Sequence, residues 1–227
     1  MLFLTIPTAG SRANLLETIV DRAGVPRANV VLIATRPHLS LPAGCHVVED
    51  LGEINIQRWW NRGIDEAVQL GATVVAVLND DVRIADDGLS SMYRALVESS
   101  ATIASPTRPD WGPGIHKGRL VPYRPVLWGA CWLLDVSSPL RPDESYRWWY
   151  GDNDLDIRAR RDYGGIVSVD VWFENANTGQ STSVSGELQD LADEDAATFW
   201  KRYGLLLRTS RFFERLPWIR TAPKEVG

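Results

Sequence analysis

The first half of the chain alternates short, continuous apolar runs with longer segments in which apolar residues recur every three or four positions. Continuous runs of this kind are typical of strands buried on both faces of a parallel sheet. They occur at 2–7, 30–34, 45–48 and 73–78. The periodic segments predict helices at 12–23, 54–69 and 88–99. This alternation predicts an α/β fold with a doubly wound, mainly parallel sheet.

The second half of the chain is less regular. The apolar runs there predict strands at 102–105, 126–136 and 165–173. The segment 106–125 is rich in proline and glycine, which predicts a long loop of the kind that often covers a functional site. Residues 175–187 form a polar segment without periodicity.

Basic and apolar residues interleave near the C-terminus, between Phe199 and Arg220, where Glu214 is the single acid among six basic residues. This pattern predicts a basic amphipathic helix. Three interpretations remain open: a helix that packs its apolar face on the domain, a segment at a membrane surface, or an arm that contacts phosphates. The last two would give the chain an anionic partner.

The size and charge of the chain limit its function. A length of 227 residues favours one domain with a substantial core. A net charge of −5 argues against a chain that binds nucleic acid through its overall charge. The N-terminus lacks the pattern of a signal peptide, and no apolar run approaches the length needed to cross a bilayer. Two cysteines without metal-ligand spacing indicate reduced thiols, so we expect a cytoplasmic protein.

Two adjacent carboxylates, Asp80 and Asp81, directly follow the apolar run at 73–78 and Asn79. In open α/β sheets, ligands bind beyond the carboxyl ends of the strands. Carboxylates at such a position can bind a hard divalent cation that bridges to phosphates. The alternative is a polar turn in which one aspartate caps the next helix.

A second acidic cluster, formed by Asp152, Asp154 and Asp156, precedes a short segment of helical character. Acids in a first helical turn complement the helix dipole, which is a purely structural explanation. The functional interpretation is a general base at a helix start. The tryptophan pairs at 59–60 and 148–149 are interpreted either as core packing or as a platform on which a sugar or base stacks.

Taken in order, five segments resemble the family 2-type glycosyltransferases of the GT-A fold. The segments are Phe3–Thr8 with the following Leu15–Ile19, Asn61–Ala67, Leu78–Val82, Trp128–Leu134 and Gly151–Arg158. They are similar to the family's first strand and helix, its "N-x-G-x-x-x-A" helix, its "D-x-D"-type metal site, its acceptor-side strand and its "E-D-x-D-L-x-x-R" element. The likeness spans about residues 2–183.

The resemblance implies roles for particular residues. Asp152 matches the position of the catalytic base, and Asp81, Asp80 and Asn177 would ligate Mn²⁺ or Mg²⁺. The nucleotide would be bound by Pro7, Thr8, Ala9, Arg36, Asn61, Asn79 and Asp80. Acceptor binding and support of the site would fall to Gly129, Trp149, Asp154 and Arg158.

The resemblance also implies an overall organisation. Residues 1–186 would form one catalytic domain, with a nucleotide-binding half at 1–105 and an acceptor-side half at 106–186. Residues 187–227 would form a helical tail. The expected activity is metal-dependent, inverting transfer of a hexose or pentose from a nucleoside-diphosphate sugar to an acceptor hydroxyl. The acceptor could be a saccharide, a lipid-linked sugar, a protein or a modified nucleic-acid base.

The chain departs from the family pattern at three places. Gly151 stands where the family has Glu, no histidine follows the acidic element, and Thr35 and Arg36 stand where an acid is common. These departures keep a second hypothesis open, a sugar-nucleotide or glycan-binding protein with weak catalysis on the same fold. A third is a nucleotidyltransferase, for which Thr8–Arg12 is only a faint version of the glycine-rich, basic loop.

Overall fold

A mixed eight-stranded sheet forms the centre of the protein in the computed structural model, which describes residues 1–118, 120, 122–175 and 186–214, with side chains up to 209. The strands lie in the order β3-β2-β1-β4-β8-β6-β9-β7. They are β1 Leu2–Thr8, β2 Val30–Ala34, β3 His46–Glu49, β4 Val74–Leu78, β6 Ile103–Pro106, β7 Gly114–His116, β8 Cys131–Asp135 and β9 Ile166–Val169. A separate two-stranded sheet pairs β5 Val82–Ile84 with β10 Phe173–Asn175.

Helices cover both faces of the large sheet. They are α1 Ala13–Arg22, α2 Ile56–Gln69, α3 Gly88–Glu98, α4 Gly151–Asp162 and α5 Gly186–Glu214. Apolar residues of α1 and α3 pack with one set of strand side chains, and those of α2 and α4 pack with the set that points the other way. The α/β, doubly wound fold is therefore confirmed.

Strands β1 to β4 are parallel neighbours, as their continuous apolar runs predict. Because the sheet is covered on both faces, every residue of β2 and β4 is buried. Beyond β4 the sheet becomes mixed, since β8 runs antiparallel to both β4 and β6. The carboxyl ends of β1, β2 and β4 consequently meet at one edge.

The prediction of a strand at 126–136 is wrong for the first half of that range, because only Cys131–Asp135 joins the sheet. The backbone amides of Val126 and Leu127 donate instead to the buried carboxylate of Asp156, at 2.8 and 3.3 Å. Those residues are buried and apolar without being in a strand, so the apolar run alone misleads. The predicted strand at 165–173 likewise ends early, because β9 covers only Ile166–Val169 and β10 begins at Phe173.

Helix α5 lies on the domain rather than apart from it. Phe199 and Tyr203 form a buried cluster with Tyr146 and with Ile157 of α4. Of the six basic residues between 199 and 220, Arg215 and Arg220 lie outside the described residues, and Arg202 is paired with carboxylates of the domain. No helix in the described part of the chain has the length and apolarity needed to cross a membrane.

Candidate functional site

A cavity of about 730 Å³ opens at the edge where β1, β2 and β4 end. Most of the predicted site residues line it: Pro7, Thr8, Ala9, Arg36, Asn79, Asp80, Asp81, Gly129, Trp149 and Asp152. They come from four strand ends and from the start of α4, so the fold gathers residues that are up to 145 positions apart, such as Pro7 and Asp152. Asn61, Asp154 and Arg158 do not line it.

Asp80 is held by two donors from the first strand and its following loop. The Thr8 hydroxyl donates to Oδ2 of Asp80 at 2.7 Å, and Arg12 Nη1 donates to Oδ1 at 3.0 Å. The same guanidinium nitrogen lies 3.9 Å from Asp81 Oδ2. Arg12 therefore offsets part of the repulsion between the two adjacent carboxylates.

One oxygen of this pair and one of the preceding asparagine have no hydrogen-bond partner among the described residues. They are Oδ1 of Asp81 and Oδ1 of Asn79, and both are buried. Burial raises the pKa of Asp81, Arg12 lowers it, and the neighbouring Asp80 raises it again. Buried, unpaired acceptors are costly unless a ligand satisfies them.

A hard divalent cation fits this donor set, because carboxylate and amide oxygens are its preferred ligands. The described residues contain no group of three or more His, Cys, Asp or Glu side chains placed to hold a metal. Asp80 and Asp81 would thus supply two ligands and leave other positions to water or phosphate oxygens. The predicted ligand Asn177 lies outside the described residues, while Asn175, at the end of β10, lines the cavity.

Asp152 lies across the cavity, in the first turn of α4. Its Oδ1 accepts a hydrogen bond from the amide of Asn153 at 3.0 Å. Burial raises the pKa of Asp152, whereas that amide and the positive charge of Arg108 lower it. A Cβ at Gly129 would lie 2.7 Å from Asp152 Oδ2, so only glycine leaves room for the carboxylate there.

The other two acids of the cluster are structural. Asp154 is fully buried and accepts from Arg158 Nε at 2.6 Å, Arg202 Nη1 at 2.8 Å and the Tyr203 hydroxyl at 2.8 Å. It therefore joins α4 to α5. Asp156 is buried in an ion pair with Arg160, four residues later in α4, at 3.1 Å, so it too has a structural role.

Asn61 supports a loop rather than the cavity wall. Its Nδ2 donates to the carbonyl of Pro142 at 3.0 Å and to Oε1 of Glu144 at 2.8 Å. Two residues later in α2, a Cβ at Gly63 would overlap the hydroxyl of Thr5 in β1. The "N-x-G" pattern therefore serves the close packing of α2 on the sheet.

Aromatic side chains form a large part of the cavity wall. The lining includes Trp59, Trp60, Trp128, Trp148 and Trp149. Trp59 and Trp60 also belong to the apolar core, so packing and lining are not exclusive. The guanidinium of Arg108 lies 4.2 Å from the centre of the Trp128 ring, a cation–π contact at the cavity.

Four residues of the site or its support were not among the predicted site residues. Arg12 and Arg108 place positive charge beside the two acidic groups, and Gln57 lines the cavity from the first turn of α2. Asp195 of α5 accepts from the amides of residues 147, 148 and 149. Only Arg12 had a sequence signal, the faint basic loop at 8–12.

Comparisons with known proteins support the fold. No protein-family model matches the chain, and no curated protein sequence matches it. Among solved structures, the mannosyltransferase PcManGT from Pyrobaculum calidifontis, in complex with GDP-Man and Mn²⁺, is 14% identical with a TM-score of 0.53, over 96% of this chain and 71% of that one. Residues 1–349 of S. aureus TarS are 12% identical with a TM-score of 0.55, over 94% and 72%. TarS 1–349 in complex with UDP-GlcNAc is 13% identical with a TM-score of 0.54, over 95% and 76%. This chain thus has the GT-A-type fold of those structures.

Proposed function

Starting from the GT-A-type fold, we propose that the chain is a glycosyltransferase that moves a sugar from a nucleoside-diphosphate sugar to an acceptor hydroxyl. One observation carries the proposal: a single cavity holds the Asp80–Asp81 pair, the unpaired oxygens of Asp81 and Asn79, and the carboxylate of Asp152. Glycosyl transfer needs both, because the leaving diphosphate gains negative charge while the acceptor hydroxyl loses a proton. The complexes of similar structures with GDP-Man and UDP-GlcNAc support the donor class.

The proposal places the nucleotide along the ends of β1 and β2. Pro7, Thr8, Ala9 and Arg36 line that part of the cavity, and the range 1–105 supplies most of its wall. Asp80 and Asp81 would hold Mn²⁺ or Mg²⁺, which when bound neutralises charge on the diphosphate. Arg12, already paired with Asp80, adds a fixed positive charge beside the same phosphates.

Asp152 acts as the general base in this proposal. Burial raises the pKa of Asp152, which makes it a stronger base than an exposed aspartate. The positive charge of Arg108 lowers the same pKa and so favours the ionised form that can accept a proton. Gly129 provides the space for the carboxylate. A base and a leaving group at separate ends of the cavity suit a single in-line displacement, which inverts the anomeric configuration.

Other predicted site residues act at a distance from the substrate. Asp154 and Arg158 hold α4 in place, and Asn61 holds the loop at 142–144. The proposal also includes a hexose or pentose as the transferred sugar, and an acceptor that binds to the half of the domain formed by residues 106–186. Trp149 is 46% exposed at the mouth of the cavity, where an acceptor would enter.

A thermal-shift measurement with nucleoside diphosphates and their sugar derivatives tests this function. A ligand at about 100 times its Kd stabilises a protein by about 2.7 kcal/mol. For a chain of this size, that raises Tm by about 5–10 °C. We expect such a rise with one nucleotide in the presence of Mn²⁺, and its loss in chelator.

Asp81→Asn tests the cation site, since it removes one charge from that site and leaves the shape of the side chain unchanged. It should abolish the Mn²⁺-dependent part of the shift and the consumption of the sugar nucleotide. Asp87→Asn, at an exposed position before α3, should change neither. A full Mn²⁺-dependent shift in Asp81→Asn would rule out the metal role of Asp81.

A second candidate, a sugar-nucleotide-binding protein with weak catalysis, is favoured by Gly151. That position carries no carboxylate beside Asp152, and the carboxamide of Gln57 fills the space of a side chain there. Binding of a sugar nucleotide without its consumption, in the presence of a range of acceptors and Mn²⁺, would support this alternative.

A further inference from the structure

Gln57 is a buried polar side chain that the mechanism above does not use. It lies in the first turn of α2, just after Asn55, whose side chain accepts from the amide of Arg58 and caps the helix. Gln57 is 1% exposed and lines the cavity. Its Oε1 is buried and has no hydrogen-bond partner among the described residues.

The carboxamide of Gln57 is positioned by its contact with the start of α4. A Cβ at Gly151 would overlap the Cδ and Nε2 atoms of Gln57. Because residue 151 is a glycine, the carboxamide of Gln57 can pack directly against its backbone, next to Asp152. The unpaired Oε1 of Gln57 therefore lies beside the residue that precedes Asp152, the proposed base.

Unpaired donors belong to other residues that line the same cavity. The indole Nε1 atoms of Trp59, Trp60 and Trp128 are buried without a hydrogen-bond partner among the described residues, and all three side chains line the cavity. Buried polar atoms without partners destabilise the free protein. A ligand rich in hydroxyl groups can pair with the Gln57 acceptor and with the indole donors, because each hydroxyl can both donate and accept a hydrogen bond.

We propose that Gln57 Oε1 accepts a hydrogen bond from a hydroxyl of the donor sugar, so that Gln57 contributes to binding of the sugar and not of the nucleotide. This inference rests on the proposed function. The sugar must lie between the Asp80–Asp81 pair, where the diphosphate leaves, and Asp152, where the acceptor is deprotonated. Gln57 adjoins the Asp152 side of that space, because its carboxamide lies against Gly151, the residue before Asp152.

Gln57→Leu tests the proposal, because leucine keeps most of the volume and removes the acceptor. The measurement is calorimetric titration, with Mn²⁺, of UDP against UDP-GlcNAc and of GDP against GDP-Man. For the pair that binds the wild type, we expect an unchanged Kd for the nucleotide and a Kd for the sugar nucleotide that is about tenfold weaker. The Tm of the free variant should equal or exceed that of the wild type, since an unpaired buried acceptor is gone.

Gly151→Ala provides a second route to the same effect, because its methyl group displaces the carboxamide and leaves Gln57 intact. It should weaken sugar-nucleotide binding selectively, and combining it with Gln57→Leu should add little. Gln69→Leu, at the exposed end of the same helix, is the matched control and should leave both affinities unchanged.

Two results would overturn the inference. If Gln57→Leu keeps the wild-type ratio of the two affinities, the carboxamide only fills space between α2 and α4. If Gln57→Leu weakens the nucleotide and the sugar nucleotide equally, the residue does not contact the sugar. A wild-type protein that binds neither ligand would instead contradict the proposed function, and the inference with it.

Discussion

Asp152, Asp154 and Asp156 are spaced alike along α4, yet only Asp152 lines the cavity. Asp154 is held by two arginines and a tyrosine hydroxyl, and Asp156 by Arg160 and two backbone amides. Asp152 accepts one amide and otherwise depends on the nearby charge of Arg108. A carboxylate with this small number of fixed partners is free to accept a proton from a substrate.

The rate of transfer should therefore depend on the ionisation of Asp152. Asp152→Asn removes the base and should lower kcat by about 10²–10⁴-fold, with donor affinity kept. Because burial raises the pKa of Asp152, activity should be lost as the pH falls through a value above the usual 3.9 of an aspartate. A pH–rate profile of the wild type measures this acid limb.

Arg108→Gln should move that limb to higher pH, since the positive charge of Arg108 lowers the pKa of Asp152. Arg124→Gln, an exposed residue of the same long loop, is the charge-matched control and should leave the limb in place. An unshifted limb in Arg108→Gln would mean that the group titrating in the profile is not Asp152.

The acids of the site could be predicted because their signals are local. An apolar run that ends in Asp80–Asp81, and acids before a helical segment, are visible in a few consecutive residues. The partners of those acids are not local: Arg12 reaches Asp80 across 68 positions. Arg108 lies in a loop whose sequence predicted no structure, so nothing in the pattern placed it over Trp128.

At the scale of elements, α5 supports the cavity although it contributes little to its lining. The carboxylate of Asp195 accepts from the amides of Arg147, Trp148 and Trp149, at 2.9, 2.7 and 2.8 Å. Asp154 in turn accepts from Arg202 and Tyr203 of the same helix. Helix α5 thus fixes both the loop that carries two wall tryptophans and the helix that carries Asp152.

Asp195→Ala should expose this dependence. It removes the carboxylate to which these three part-buried amides donate, and the loss of such an acceptor costs about 1–3 kcal/mol, so we expect about 1–3 kcal/mol of lost stability in urea unfolding. Amide hydrogen exchange at residues 147–149 should also accelerate. The substitution Asp193→Ala, at an exposed position two residues earlier in α5, should cost no more than about 0.5 kcal/mol. Equal losses in the two variants would contradict the anchoring role of Asp195.

The elements that the sequence predicted correctly are those with long or strongly periodic patterns, such as β1, β2, β4 and α2. The strands it missed, β5, β7 and β10, have three residues each, too few to show an alternation. Their existence depends on partners elsewhere, as in the antiparallel pairing of Val82 with Asn175. The error at 126–130 has the same origin, since Asp156 takes the amides that a strand would use.

At the scale of the whole molecule, charge is unevenly distributed. The chain is acidic overall, with a net charge of −5, but the second half of α5 is basic. Phe199 and Tyr203 pack into the domain, which supports the packing interpretation of this helix for its described part. Lys201, Leu205 and Arg208 recur at helical spacing and are exposed, Leu205 at 79%. An exposed stripe that combines apolar and basic side chains is typical of helices that contact anionic lipid.

We therefore expect the protein to bind vesicles that contain anionic lipid, more weakly as salt is raised. Each basic residue near such a surface contributes about 1 kcal/mol, so the double variant Lys201→Gln/Arg208→Gln should lower the partition coefficient by about thirtyfold in co-sedimentation at low salt. Arg94→Gln/Arg124→Gln removes the same charge from exposed positions elsewhere and should bind as the wild type does. If both double variants sediment alike, net charge alone governs the contact. If Lys201→Gln/Arg208→Gln binds normally but melts at a lower temperature, the stripe serves only the packing of α5 on the domain.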